Sequence, residues 1–308
     1  MLSQRLSSDL LAAWQSRFPG ARARHALMAV ADASAFLDLP PADIPTTPPP
    51  TPAEQLRIET LASAYLARII PKLPDLFAKQ LTIRFERISP KPHQNEQPWR
   101  DDGMSIATVM YRHELDAEPA RSSRSFSGFI AQGIFGPVLS LPVQDASLRL
   151  TWDHWERRAS TPLAVFRYAV PESDSRFAVV CPVTPYLYQQ FFTAYHAQLA
   201  VDPATGTVLR LTLIADLNPL LACRAASVMV EYGPVSIGGQ LYICPLRSVS
   251  LMRLAKLDTR VSPRLFLPGR DRTQLNDITF SDYRVFRVTT RILNAGNPLP
   301  PTPDPPPH

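Results

Sequence analysis

Along most of this chain, apolar side chains recur at every second position. Leu81, Ile83 and Phe85 alternate with Thr82, Arg84 and Glu86, the pattern of a half-buried strand. Comparable runs follow at 106–115, 147–155, 163–170, 176–183, 195–201, 208–215, 226–232, 235–244, 248–254 and 277–293. They lie too close together for helical crossovers between parallel strands, so the pattern predicts an antiparallel sheet. The segments at 171–175 (PESDS) and 202–206 (DPATG) read as hairpin loops, and Gly238-Gly239 reads as a bulge or a tight turn.

One segment has a different period. Ile58, Leu61, Ala62, Tyr65, Leu66 and Ile69 recur three and four apart, which places them on one helical face. Thr51-Pro-Ala-Glu54 before them is a capping box with proline at the first helical position. Pro71 and Pro74 end the pattern. The expected fold class is therefore α+β and β-dominated: a curved antiparallel sheet with one packed N-terminal helix.

Outside this unit the patterning is weaker. In residues 1–38, Leu6, Leu10, Leu11 and Trp14 have helical spacing, and Leu27, Val30 and Phe36 suggest a second short helix. That segment reads as an accessory helical piece or as poorly ordered chain. Residues 39–52 (LPPADIPTTPPPTP) read as a stiff proline-rich linker, with a polyproline ligand as the alternative. The expected organisation is a weakly helical segment at 1–38, the linker at 39–52, the β domain at 53–294 and a disordered proline-rich tail at 295–308. A short helix is also expected within 129–141.

Composition narrows the function classes. With 45% hydrophobic and 19% charged residues, the 308-residue chain is globular in character. The net charge of +5 comes mostly from arginines scattered among the strands; without a basic stripe or nucleic-acid module, no nucleic-acid partner is expected. No apolar run is long enough for a transmembrane helix. Residues 22–35 faintly imitate a signal peptide, but Asp32 interrupts the apolar stretch, so no clear leader is read there. Cys181, Cys223 and Cys244 form no metal-type pair. One disulfide plus one thiol would need an oxidising compartment; three small buried thiols is the preferred expectation.

Catalytic signatures are sparse. No phosphate-binding glycine loop and no nucleophile elbow occurs, and His113-Glu114 lacks the second histidine of a zinc helix. No metal or cofactor is expected. In Trp152-Asp-His154-Trp155-Glu156, strict alternation puts His154 with Trp152 and Asp153 with Trp155 on opposite faces, which rules out a compact acid/base pair. Tyr195-His196 opens a strand whose polar face, with His196, reads as solvated. Aromatic side chains crowd the middle of the chain. Trp152, Trp155, Phe166, Tyr168, Phe191 and Phe192 are the candidate lining of a cavity for an apolar ligand; ordinary core is the competing reading.

Several motifs carry a family resemblance over roughly residues 54–293. They are Leu73-Pro-Asp-Leu-Phe, Val165-Phe-Arg-Tyr-Ala-Val-Pro, Ala194-Tyr-His, Val201-Asp-Pro-Ala-Thr-Gly-Thr-Val-Leu-Arg, Glu231-Tyr-Gly-Pro-Val-Ser-Ile-Gly-Gly, Pro245-Leu-Arg-Ser-Val-Ser and Leu275-Asn-Asp-Ile-Thr-Phe-Ser-Asp-Tyr-Arg-Val-Phe. In this order they resemble an uncharacterised β-rich envelope family abundant in acidobacterial genomes. Its layout is similar to the open half-barrels of the lipoprotein carrier LolA and the sensor RseB. Ala78 and Ala197 depart from the family's usual cysteine and glycine, and Cys244 from its aliphatic residue. The resemblance implies a periplasmic or cell-envelope location and a non-catalytic binding protein with a lipid or lipoprotein ligand. A structural or interaction module with an envelope protein partner is the alternative. A hydrolase using His154 or His196 with a distant carboxylate is the last.

Overall fold

The computed structural model describes residues 2–69, 75–89, 97–112, 115–117, 149–157, 162–184, 187–218, 221–257 and 266–285. Expectations for the helix within 129–141, for His113-Glu114 and for the tail at 295–308 lie outside these residues.

Among the described residues the chain forms twelve strands: β1 Leu76–Ile88, β2 Arg100–Arg112, β3 Leu115–Ala117, β4 Thr151–Glu156, β5 Leu163–Val170, β6 Ala178–Thr184, β7 Leu187–Phe192, β8 Tyr195–Val201, β9 Val208–Ala215, β10 Cys223–Ile237, β11 Gln240–Leu257 and β12 Phe266–Val285. Ten form one open sheet in the order β3-β2-β1-β12-β11-β10-β9-β8-β5-β4, and β6-β7 pair separately. All pairings are antiparallel among the described residues. The sheet does not close into a barrel, since β3 and β4 stand at its two ends.

Gly238 and Gly239 make the two-residue turn of the β10–β11 hairpin. Both have positive φ, as a turn matching the strands' twist requires. The run expected at 235–244 straddles this turn, and the run expected at 248–254 lies farther along β11. The bulge at Glu231/Tyr232 explains why their alternation slips: an extra residue shifts the side-chain period. Residues 187–192, which carry no run of strict alternation, are strand β7.

Three helices precede the sheet: α1 Ser8–Arg17, α2 Ala21–Ser34 and α3 Pro52–Ile69. Thr51 caps α3 by accepting from the Glu54 amide, while the Glu54 carboxylate pairs with Arg57 instead of reaching back. Ile58, Ala62, Tyr65 and Leu66 of α3 are buried with Phe166, Leu199, Leu213 and Val230 in the main core. The other sheet face carries a second, smaller core. There Ala29 of α2 packs with Phe85, Met229, Val249 and Leu275. The sheet thus has helices on both faces. Residues 39–52 connect the two, and Trp155 Nε1 of the edge strand β4 donates to the Pro48 carbonyl at 2.8 Å within that stretch.

Cys181 of β6 and Cys223 at the start of β10 form a disulfide, which fastens the β6–β7 hairpin to the large sheet. The expectation of three buried thiols is corrected here. Sequence spacing carries no information on a contact made across two sheets. Cys244 is a free, buried thiol, and burial pushes its pKa up to about 12, so it is unreactive as a nucleophile.

Candidate functional site

Strand register puts α2's sheet face in order. Arg87 of β1 faces Thr273 of β12, Thr273 faces Arg253 of β11, and Arg253 faces Ala225 of β10. Two residues along, Phe85, Leu275 and Leu251 form the next row, and Ile83 and Val249 stand in the one after with Asp277 between them. An alternating strand sends every second residue to the same face, so three strands build a polar row, an apolar row and a mixed row in succession.

A half-open cleft of about 770 Å³ lies between this face and α2. Ala26 and Val30 of α2, with Leu37 just beyond its end, supply one wall, and Leu251 and Trp99 supply the opposite apolar surface. Arg87 and Arg253 bring guanidinium groups to the lining. Arg87 lies 4.8 Å from the centre of the Trp99 ring, a cation–π contact, and Arg253 sits 3.6 Å from Asp271. The cleft is therefore an apolar slot with a cationic rim.

A ladder of charges crosses the same face beyond the slot. Arg210 of β9 faces Glu231 of β10, and Glu231 faces Arg247 of β11. Arg247 bonds Asp277 of β12 at 3.0 Å and also bonds Asp32 of α2. At the other end, Glu156 of β4 takes both ends of the Arg210 guanidinium, with Arg5 at 3.6 Å. Burial opposes the charge on Glu156, but the two hydrogen bonds from Arg210 outweigh it and hold the carboxyl below the usual range. Burial, then the Asp277 carboxylate, push Asp32 up to about 7. Burial also works against Arg247, but Asp32 and Asp277 outweigh it and raise its pKa. The ladder pins the N-terminal segment to the sheet through Arg5 and Asp32.

The six aromatic candidates lie elsewhere. Trp152 meets Trp155 at 4.9 Å and Phe166 at 5.6 Å between ring centres, both edge-on. Tyr168 packs on Tyr195 instead, at 6.0 Å. Phe166 and Tyr168 are buried in the α3-side core, Phe191 packs against that core, and Phe192 is 54% exposed. None of the six lines the α2 cleft. The residues that do, Arg87, Trp99 and Arg253 among them, each look like an ordinary strand or loop residue in the sequence until register aligns them.

His154 also departs from its expected setting. The β4–β5 register slips between Trp152 and His154, a bulge at Asp153. That extra residue breaks the alternation, turns Trp155 to Trp152's side and brings His154 Nδ1 within 3.3 Å of Asp153. The expectation that the two could not pair is corrected. His154 also stands 3.9 Å from Glu156, so it belongs to the charge ladder's end. His196 pairs with Asp216 at 2.9 Å, and both are about half exposed. Neither histidine lines the cleft. Among the described residues, no cluster of three or more His, Cys, Asp or Glu has a metal-holding arrangement. None of the described helices is long and apolar enough to cross a membrane.

No family model matches this chain, and no curated protein does. Among solved structures, the chain is similar to one described as the complex structure of Pseudomonas aeruginosa MucA/MucB. The identity is 13% and the TM-score 0.23, over 74% of this chain and 99% of that chain. A likeness of that size carries no argument about function.

Proposed function

We propose that this protein is a non-catalytic binding domain of an oxidising compartment such as the cell envelope, holding a single-chain anionic amphiphile in the α2 cleft. The cleft itself carries the reading. Its volume of about 770 Å³ falls in the range of ~300–1,000 Å³ typical of small-molecule sites. An acyl chain along Val30, Leu251 and Trp99 would be driven by apolar burial at ~25 cal/mol per Å². A carboxylate or phosphate head would meet the positive charge of Arg87 and Arg253 at the rim, beside the contacts these side chains already make with Trp99 and Asp271. The Cys181–Cys223 disulfide supports the compartment, since such bonds persist where thiols are not kept reduced. The packed α3-side core around Phe166 and Tyr168 supports placing the ligand on the α2 side instead of among the six aromatic candidates.

The test is calorimetric titration with palmitate and with dodecyl phosphate. Either probe should bind the native protein. Ala26→Trp, at an exposed lining position, should abolish binding by filling the mouth. Arg87→Gln with Arg253→Gln should weaken it about tenfold or more, as loss of charge-assisted bonds implies. Binding unaltered in Ala26→Trp, or no binding of either probe, would overturn the reading.

A second reading rests on β2. Its side away from β1 is paired only from Met110 to Arg112 among the described residues, and Met104 and Ile106 are exposed along it. An unpaired apolar strand edge is what a protein-interaction module presents to an envelope partner. Crosslinking from position 104 to a copurifying protein, with no amphiphile bound, would favour it.

A further inference from the structure

We propose that the tip formed by α1 and the start of α2 docks on an anionic lipid surface. Leu10 and Trp14 stand four residues apart, so they share one face of α1, and Phe18 follows as its C-cap. Leu10 is 44% exposed, Phe18 is 54% exposed and Trp14 is only half-buried. No described α1 side chain is fully buried, so the helix adds little to either core. A ten-residue helix is marginal in water by itself. Here it is held by the Ser7 cap and by contact with α2, with its apolar face largely uncovered.

The charge around that face is mainly positive. Arg17, Arg22 and Arg24 are exposed, and no Asp or Glu occurs from Leu10 to Ala31. Asp101 of β2 reaches the tip, where it pairs with His25 at 3.2 Å. Asp9 lies at the opposite end of α1, where it favours the helix dipole. Apolar side chains flanked by arginines match the boundary of a bilayer with anionic head groups: the rings enter the acyl edge and the guanidinium groups meet phosphates. Arg22 stands one helical turn from Ala26, which lines the cleft. Docking by the tip therefore brings the cleft mouth toward the surface from which a single-chain amphiphile would come. That last point rests on the proposed ligand; the docking does not.

The experiment is flotation of the whole protein with vesicles of phosphatidylglycerol and phosphatidylcholine, against vesicles of phosphatidylcholine alone. Expected is flotation with the anionic vesicles only, reversed by added salt. Arg22→Glu with Arg24→Glu should lower the bound fraction about tenfold or more, and Phe18→Ser should lower it at every salt concentration. These positions are exposed, so thermal unfolding should be unchanged. Ala26→Trp should float as the native protein does even though it takes no palmitate, which separates failure of the cleft from failure of the tip. Equal flotation with both vesicle types, none with either, or full retention by the arginine variant would overturn the proposal, as would tighter capture by duplex DNA than by anionic vesicles.

Discussion

Asp32 and Arg247 are 215 residues apart in sequence, yet they form a hydrogen-bonded ion pair at the junction of α2 and β11. Asp32 is almost wholly enclosed, and one of its carboxylate oxygens has no hydrogen-bond partner among the described residues. The helix is docked by a charge that is expensive to bury, next to Asp277 and near Glu231 on the strands beneath.

The pH dependence follows from that setting. Asp32 titrates near 7 when folded, against a usual value of 3.8. Between these values the unfolded chain has released a proton that the folded one keeps, so this group's contribution falls as pH rises through the window. Below 3.8 both states are protonated and the penalty is absent; above 7 it is complete. Amide exchange within α2 should therefore be slowest relative to global exchange at mildly acidic pH and speed up toward neutrality. Asp32→Asn should flatten the profile. An unchanged profile in that variant would assign the dependence to another group.

Glu156 behaves in the opposite sense. Its folded pKa lies below the usual value of 4.5, so its contribution is present above that value and lost as acid is added. Glu156→Ala leaves the buried Arg210 guanidinium without its bidentate acceptor. The expected loss is about 3–5 kcal/mol, measured by urea unfolding. Glu156→Asp should recover only part of it, because the shorter side chain reaches less far toward Arg210.

Gly206 meets α3 backbone to backbone. It has φ of +71°, and a β-carbon there would lie 2.3 Å from the Leu61 carbonyl carbon. No side chain can move aside to relieve that contact. Gly206→Ala should cost roughly 3 kcal/mol in urea unfolding and loosen α3. A neighbouring exposed change, Thr205→Ala, should cost much less.

The disulfide closes a loop with a sequence separation of 42. Chain-entropy arithmetic for a loop of that length gives about 4 kcal/mol. Reduction, or Cys181→Ser with Cys223→Ser, should lower the thermal midpoint and expose β6 and β7 to proteolysis first. Cys244 should resist alkylation until the protein unfolds, because it is buried and its thiolate is disfavoured.

The local patterns were enough for several conclusions. Alternation at 163–170, 195–201 and 208–215 identified β5, β8 and β9 to the residue, because a strand half in a core repeats every two positions. The spacing of Ile58, Ala62, Tyr65 and Leu66 likewise identified the buried face of α3, and close strand spacing implied an antiparallel sheet. What tertiary structure alone decided depends on register and on pairs far apart in the chain. Arg87, Thr273 and Arg253 become one row only when three strands align, and Cys181 finds Cys223 only when a hairpin folds against β10. The bulge at Asp153 reassigned a histidine's neighbours by adding a single residue to one strand. A periodic sequence states which side chains share a face; it does not state which strand lies beside which, or what the other side of that face will meet.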